Sequence, residues 1–402
     1  MTTLLYEDFA RTYMTEVGDA ARRMLTRGAE AVDLLATAAV GGREIHAFGN
    51  GGSSAIARAL LLQLRTQAGL PVHDAMMSPA TLAYTAQQDG YSSVFARSLA
   101  AGIDKVGLVV VASVSGRSPN IHEAVQLCGA NGVPVLALVG GDGAQMAPAP
   151  GMVWATGITD QQISEDAMLT VLTLTAAAVL GTEPLAARAA RYQRALTDAD
   201  TGLLGAFLSD ATAAVTDAIR NQRRIYVLCP DGGPLALAGE HCAHNLAWDA
   251  PLGVPGVEGP LVICDPSLAD MSAILNDHPD PAHGVRRQLS SAGPEDVVFL
   301  LAYDSGSRTI REAVEAATAA GARTFVLHRD GPGNDGAGAR HFRLPSGLDD
   351  FELAAVVQSA AHLLCRTTRA ALTAGQSAAV SSADLMAQDL APLRELSETP
   401  LH

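Results

Sequence analysis

Apolar residues recur at helical spacing from about Tyr6 to Ala39, through Phe9, Tyr13, Val17, Ala20 and Met24 and then Ala31, Leu34 and Leu35, with a break near Gly28. The spacing predicts two helices. Glu44 to Phe48 reads as a buried strand, and after a glycine-rich turn Ser54 to Gln67 returns to the helical period. Leu108 to Ala112 is an unbroken aliphatic run, Ser113 to Asn120 a polar loop, and a helix starts at about Ile121. Pro134 to Val139 and Val153 to Ala155 give further strands, and Ile163 to Leu180 a long apolar helix. Strands alternating with helices predict a parallel, doubly wound sheet.

The pattern then starts over. Glu183 to Arg223 is helical, with Tyr192, Leu196, Leu203, Phe207, Ala214 and Ile219 among its apolar positions, and Arg224 to Leu228 is a strand leading into Cys229-Pro230-Asp231-Gly232-Gly233-Pro234. Val297 to Ala302 runs into Tyr303-Asp304-Ser305-Gly306-Ser307-Arg308, a helix covers Ile310 to Ala320, a strand Thr324 to Leu327, and a helix Phe351 to Arg366. An internal repeat of about half the chain follows. The expected domains are 1–182, with helices ahead of the first sheet, and 183–382, with linker helices ahead of the second. The Ala- and Ser-rich stretch from about Ala371 reads as peripheral, with 383–402 as a tail.

Composition narrows the class. The 402 residues are nearly half apolar, poor in aromatics and rich in alanine, valine, leucine and glycine, as helix-on-sheet packing requires. A net charge of −15 argues against a nucleic-acid or anionic-membrane partner, because either needs a basic footprint. The five cysteines are widely spaced and odd in number, as expected of free thiols in a reducing compartment. No charged-then-apolar leader opens the sequence, and no apolar run is expected to span a membrane without polar interruption. A cytoplasmic protein is expected.

The chemistry centres on Phe48-Gly49-Asn50-Gly51-Gly52-Ser53-Ser54. Glycines let the backbone approach an anion, the helix start offers unpaired N–H groups, and Ser53 adds a hydroxyl. Ser113, Ser115 and Ser118 precede a second helix start and can serve the same anion. The expected phosphate site is therefore Asn50, Gly51, Gly52, Ser53, Ser113, Ser115 and Ser118.

Gly49-Asn50-Gly51-Gly52-Ser53, Ser78-Pro79-Ala80 continuing to Gly90-Tyr91 and Val94-Phe95-Ala96-Arg97, and Ser113 to Asn120 followed by Gly141-Asp142-Gly143 together resemble the sugar isomerase (SIS) domain. They look most like its phosphoheptose isomerase branch. The likeness covers residues 40 to 182, and is weaker over 223 to 370. It implies two tandem flavodoxin-like domains, each a parallel sheet flanked by helices, that bind a phosphorylated sugar at the strand ends. It also implies isomerisation of a ketose phosphate such as sedoheptulose 7-phosphate through an enediol, by a carboxylate and an imidazole, with zinc in some members. No cofactor is required on this reading, and zinc is the one that could be present. A non-catalytic phosphosugar-binding or assembly protein is the alternative.

On the helix after the glycine turn the family carries His and, four residues later, Glu; the first half has Ala59 and Gln63 there, and Ser164 and Leu172 where the last helix would supply Gln and His. The first half alone cannot run that reaction. Counted from the second glycine turn, the same two positions hold Glu240 and His244, while His362 takes the last-helix histidine position and Ala354 the glutamine position. Glu240, His244 and His362 are therefore the expected catalytic groups, or metal ligands if a metal is bound. His241 beside them shows that histidine is not unique to these positions, and Glu165, expected on a solvated helix face, is another candidate carboxylate. Asp277 matches the family's acidic residue in its Asn-Asp pair, and with Ser305 and Ser307 it makes a weaker substrate-binding set in the second half. The sequence reading joins a phosphate cradle in the first half to these groups in the second as one composite site. The fused, divergent layout points to a specialised pathway, and a homodimer would give four SIS domains.

Overall fold

The computed structural model describes residues 3–75, 78–148, 150–181, 183–197, 201–264, 280–330, 338–374 and 381–386. The chain forms two compact units, an N-terminal one of Thr15–Arg194 and a C-terminal one of Ala195–His402 with Met1–Met14. The boundaries thus fall inside the first helix and inside the helix that follows Thr182.

The N-terminal unit holds most of α1 (Thr3–Leu25), then α2 (Gly28–Val40), β1 (Glu44–Gly49), α3 (Gly52–Ala68), β2 (Val72–Asp74), α4 (Pro79–Asp89), α5 (Val94–Ala100), β3 (Val106–Ser113), α6 (Pro119–Ala130), β4 (Val135–Val139), β5 (Gly151–Ala155), α7 (Gln161–Leu180) and most of α8 (Leu185–Thr197). Its strands are all parallel, in the order β2-β1-β3-β4-β5. On one sheet face Phe48, Val109, Val111, Val135, Ala137 and Val139 pack with Val94, Phe95, Ile121 and Val125 of α5 and α6. Helices α2 and α3 pack on α7, which starts where Asp160 accepts the Ile163 N–H at 3.0 Å. By length and composition α7 could cross a membrane, contrary to the expectation that no apolar run would; but 83% of its apolar window is buried, which makes it a core helix of this unit. Trp154 on β5 is 1% exposed and donates its indole N–H to the Met24 carbonyl.

The C-terminal unit repeats the plan with α9 (Thr201–Arg220), β6 (Ile225–Leu228), α10 (Pro234–His244), β7 (Val262–Cys264), α11 (Pro281–Leu289), β8 (Val297–Asp304), α12 (Arg308–Ala319), β9 (Arg323–Asp330), β10 (Ala339–Arg343), α13 (Asp350–Ala374) and α14 (Ser382–Met386). Read from β7, its parallel sheet runs β7-β6-β8-β9-β10, the same topology as the first. Tyr226, Leu228, Val298, Leu300 and Val326 pack against α11 and α12 on one face, while α9 and α10 pack on α13. A capping box starts α13: Asp349 Oδ1 accepts the Glu352 N–H at 2.9 Å, and Glu352 Oε2 accepts that of Asp349 at 3.0 Å. This helix runs through Ala371, where a peripheral stretch was expected, and buries Leu372. A single π-helical turn, Asn245–Asp249, extends α10 and leaves Trp248 68% exposed.

Candidate functional site

In each sheet the first and third strands are neighbours whose following helices lead to opposite edges. That divergence opens a crevice at their carboxyl ends, the usual ligand position in doubly wound sheets. In the N-terminal unit the crevice is flanked by the turn after β1 and the loop after β3. Gly49 is required by close approach, since a Cβ there would meet Ser53 O at 2.7 Å and Ala112 O at 2.9 Å. Gly51, at φ 51°, caps α3 with no side chain in the way.

The serine loop keeps two hydroxyls uncommitted: those of Ser113 and Ser118 meet no protein partner among the described residues. Ser118 stands at the N-cap of α6 without bonding the helix. Ser115 Oγ accepts the Arg117 N–H at 3.2 Å and is exposed. Ser53 is buried and donates to Glu165 Oε1 at 3.1 Å. Glu165 is 2% exposed, so the solvated helix face expected for it is not where it lies. Asn50 is tied to Asn120 and Tyr91 by hydrogen bonds of 2.9 to 3.0 Å. Burial raises the Tyr91 pKa, opposed by the nearby Asn120 side chain. A separate cavity of about 330 Å³, lined by Arg23, Arg27, Asp142 and Trp154 among others, shares no residue with this site.

The corresponding crevice of the C-terminal unit is filled from within. Asp231 Oδ2 accepts the Tyr303 N–H at 3.1 Å, and the Tyr303 phenol lies where a Cβ on Gly233 would meet its oxygen at 3.3 Å. Pro234 at the first position of α10 removes an N–H. Asp304 Oδ1 takes the Gly306 N–H at 2.7 Å, and Ser307 caps α12 by accepting from Ile310 N at 3.3 Å. Burial raises the Asp231 pKa, and the nearby Asp304 charge adds to that, against the Tyr303 N–H. Ser305 is buried, and Asp277 lies outside the described residues.

The same unit holds a buried imidazole pair. His241 Nδ1 faces Gln358 Oε1 at 3.1 Å, and His241 Nε2 faces His362 Nε2 at 3.1 Å. With the Gln358 oxygen as acceptor, His241 carries its proton on Nδ1, so its Nε2 accepts from His362. Burial holds the His241 pKa well below that of an ordinary histidine, and the neighbouring His362 and His244 push it the same way. Asp249 is raised by burial, against the pull of His244, His362 and Arg369. His244 is exposed, and Glu240 is half-buried on α10.

The SIS domain family pattern matches residues 6–140. Over 127 residues the chain is 32% identical to the phosphoheptose isomerase of Geobacter sulfurreducens, spanning 30% of this chain and 67% of that protein. Over 153 residues it is 30% identical to that of Vibrio cholerae, spanning 36% of this chain and 80% of the relative. The chain belongs to the SIS family. Among solved structures, Escherichia coli tagatose-6-phosphate ketose/aldose isomerase shares the fold at a TM-score of 0.58 and 14% identity, over 92% of this chain and 96% of that one. The two sheets are thus SIS-like folds in tandem.

Helix caps give the SIS register more directly than counting from the glycines. Gly51 caps α3 and Gly233 caps α10 with similar backbone angles. Aligned on these caps, Ala59 corresponds to His241 and Gln63 to Asn245, one residue later than Glu240 and His244. Gln63 is buried and donates to the Thr173 carbonyl at 3.3 Å, a structural bond. Histidines three residues apart in α10 therefore part company: His241 turns into the unit toward His362, and His244 stays outside.

Proposed function

We propose that the chain is an aldose–ketose isomerase of phosphoheptose isomerase type, acting on sedoheptulose 7-phosphate or a similar ketose phosphate through an enediol. The observation that carries this reading is the crevice at the strand ends of the N-terminal unit. It pairs a glycine turn with two uncommitted serine hydroxyls, within the part of the chain similar to phosphoheptose isomerases. Two helix starts and those hydroxyls would hold the phosphate. Proton movement between adjacent carbons needs a base at the C–H bond and an acid at the carbonyl oxygen. Glu240, His244 and His362 are the candidates from sequence; Glu165, which holds Ser53, and His241, which meets His362, join them. Zinc, where bound, would fit the His241 and His362 nitrogens as two of its ligands and needs further donors to complete a shell. Two chains associating would give four SIS domains, which a sizing measurement checks.

The test is incubation with sedoheptulose 7-phosphate and related ketose phosphates in deuterated water, with and without zinc, for the wild type and for Glu165→Gln, Glu240→Gln and His362→Gln. Loss of a true base or acid lowers deuterium uptake by about 10²- to 10⁴-fold and leaves phosphate binding in place. Ala59 and Gln63, in the place of the family's histidine and glutamate, favour a second reading: a phosphosugar-binding protein without turnover. Tight binding with no deuterium uptake on any substrate would establish that one.

A further inference from the structure

Asn50 sits in the glycine turn and was expected to touch the phosphate, but its hydrogen bonds point elsewhere. Asn120 Oδ1 accepts the Ile121 N–H at 3.0 Å, which identifies that side-chain atom as the oxygen. The Asn50 group facing it at 3.0 Å must be the amide nitrogen, and the Asn120 nitrogen returns a bond to Asn50 Oδ1 at 2.9 Å. Tyr91 then donates its hydroxyl to the same Oδ1 at 2.9 Å. Both lone pairs of Asn50 Oδ1 are engaged within the protein.

The pair joins the turn after β1 to the first turn of α6, across the crevice described above. Asn120 is 1% exposed, and its amide is engaged by Asn50 and by the Ile121 N–H. The corresponding turns of the C-terminal unit, Cys229 to Gly233 and Ser305 to Ile310, contain no asparagine. We propose that Asn120 and Tyr91 are positioning residues: through Asn50 they fix the separation of the glycine turn and the serine loop before any ligand arrives. This rests on the phosphate reading of the site. Anchoring groups that must converge on one anion lose much of their effect when displaced by an ångström, so a preset separation acts on affinity. Removing either amide leaves its partner unsatisfied, so the two act as one unit.

The test uses the full chain, with inorganic phosphate and sedoheptulose 7-phosphate as probes in isothermal titration. Asn50→Ala and Asn120→Ala should each weaken both probes by about tenfold, and the double variant by no more than about threefold beyond either single one. Tyr91→Phe, which removes only the hydroxyl, should weaken them about threefold. If Asn50→Ala weakens binding while Asn120→Ala and Tyr91→Phe stay within about twofold of wild type, Asn50 is itself a ligand and the clamp is wrong. Where turnover is found, KM should rise in Asn120→Ala at unchanged kcat. Hydrogen exchange on the ligand-free chain supplies an independent readout. Asn120→Ala should speed exchange both in 50–54 and in 115–121, and a change confined to 119–122 overturns the proposal. That measurement decides the clamp even if the wild type binds neither probe, the outcome that would instead sink the phosphate reading.

Discussion

The turn after β1 and the turn after β6 stand at the same place in two sheets of the same topology, and both end in a glycine cap at positive φ. They differ in what their polar groups face. In the N-terminal unit an amide pair braces the crevice from the side, and the hydroxyls of Ser113 and Ser118 stay uncommitted. In the C-terminal unit Asp231, Asp304 and Ser307 engage the N–H groups of Tyr303, Gly306 and Ile310. A carboxylate at the mouth of an anion site also repels the anion. A turn of this kind can thus keep its backbone course while a few side chains engage its N–H groups, so topology alone does not mark a ligand site.

The contrast can be broken most sharply by removing serines. The double change Ser113→Ala with Ser118→Ala should weaken sugar-phosphate binding at least about a hundredfold, the sum of two hydrogen bonds to a charged group. Ser305→Ala with Ser307→Ala should leave it within about twofold, and titration calorimetry separates the two. Equal losses would mean that both crevices bind.

Glycines give the next largest difference. Gly49→Ala drives a Cβ into backbone oxygens and should destabilise by about 3 kcal/mol or more in urea unfolding. Gly232→Ala, at φ 65° with open space around it, should cost about 1 kcal/mol.

Acid should act through the buried imidazoles. The His241 pKa is far lower in the folded chain than in the unfolded one, so its stabilising effect is complete above about pH 6.5 and declines below it. The loss is about 1.4 kcal/mol per pH unit until the folded pKa is reached. In the N-terminal unit His46 is depressed in the same direction, by burial first, with His73 adding and Glu44 opposing. Urea titrations between pH 7.5 and 5 should therefore show a falling midpoint, shallower in His241→Gln. A flat profile would mean that His241 is charged when folded.

The smallest effect concerns the caps. Ser307→Ala removes a helix cap and should cost about 1 kcal/mol, whereas Ser118→Ala, whose hydroxyl bonds nothing in the helix, should cost under about 0.5 kcal/mol.

The alternation of aliphatic runs with helical periods was enough to read both sheets, because strands buried on two faces are continuously apolar. Of the edge strands, β5 was read from Val153 to Ala155, and β2, β7 and β10 were not. Val72-His73-Asp74 and Ala339 to Arg343 are short and polar because an edge strand faces water and resists pairing with other chains. Ser113 and Ser118 could be found from the loop's composition. His241 could not: the histidines at 241 and 244 carry no local sign of which is buried, and packing of α10 on α13 makes the choice. Glu165 and Asp166 are both buried in α7, and the bond from Ser53 singles out Glu165. Counting from the glycines set the α10 register one residue away from the register given by its cap.

The two tryptophans of this chain fall one to each unit, and their surroundings are opposite. Trp154 is enclosed beside β4 with its N–H bonded to a carbonyl, and Trp248 stands in water on the π-helical turn. Enclosed indole emits to the blue of hydrated indole. The chain therefore carries its own spectral labels: a red shift of the blue component reports the opening of the N-terminal unit, while quenching of the red component by a soluble quencher reports the surface of the C-terminal one, without any added dye.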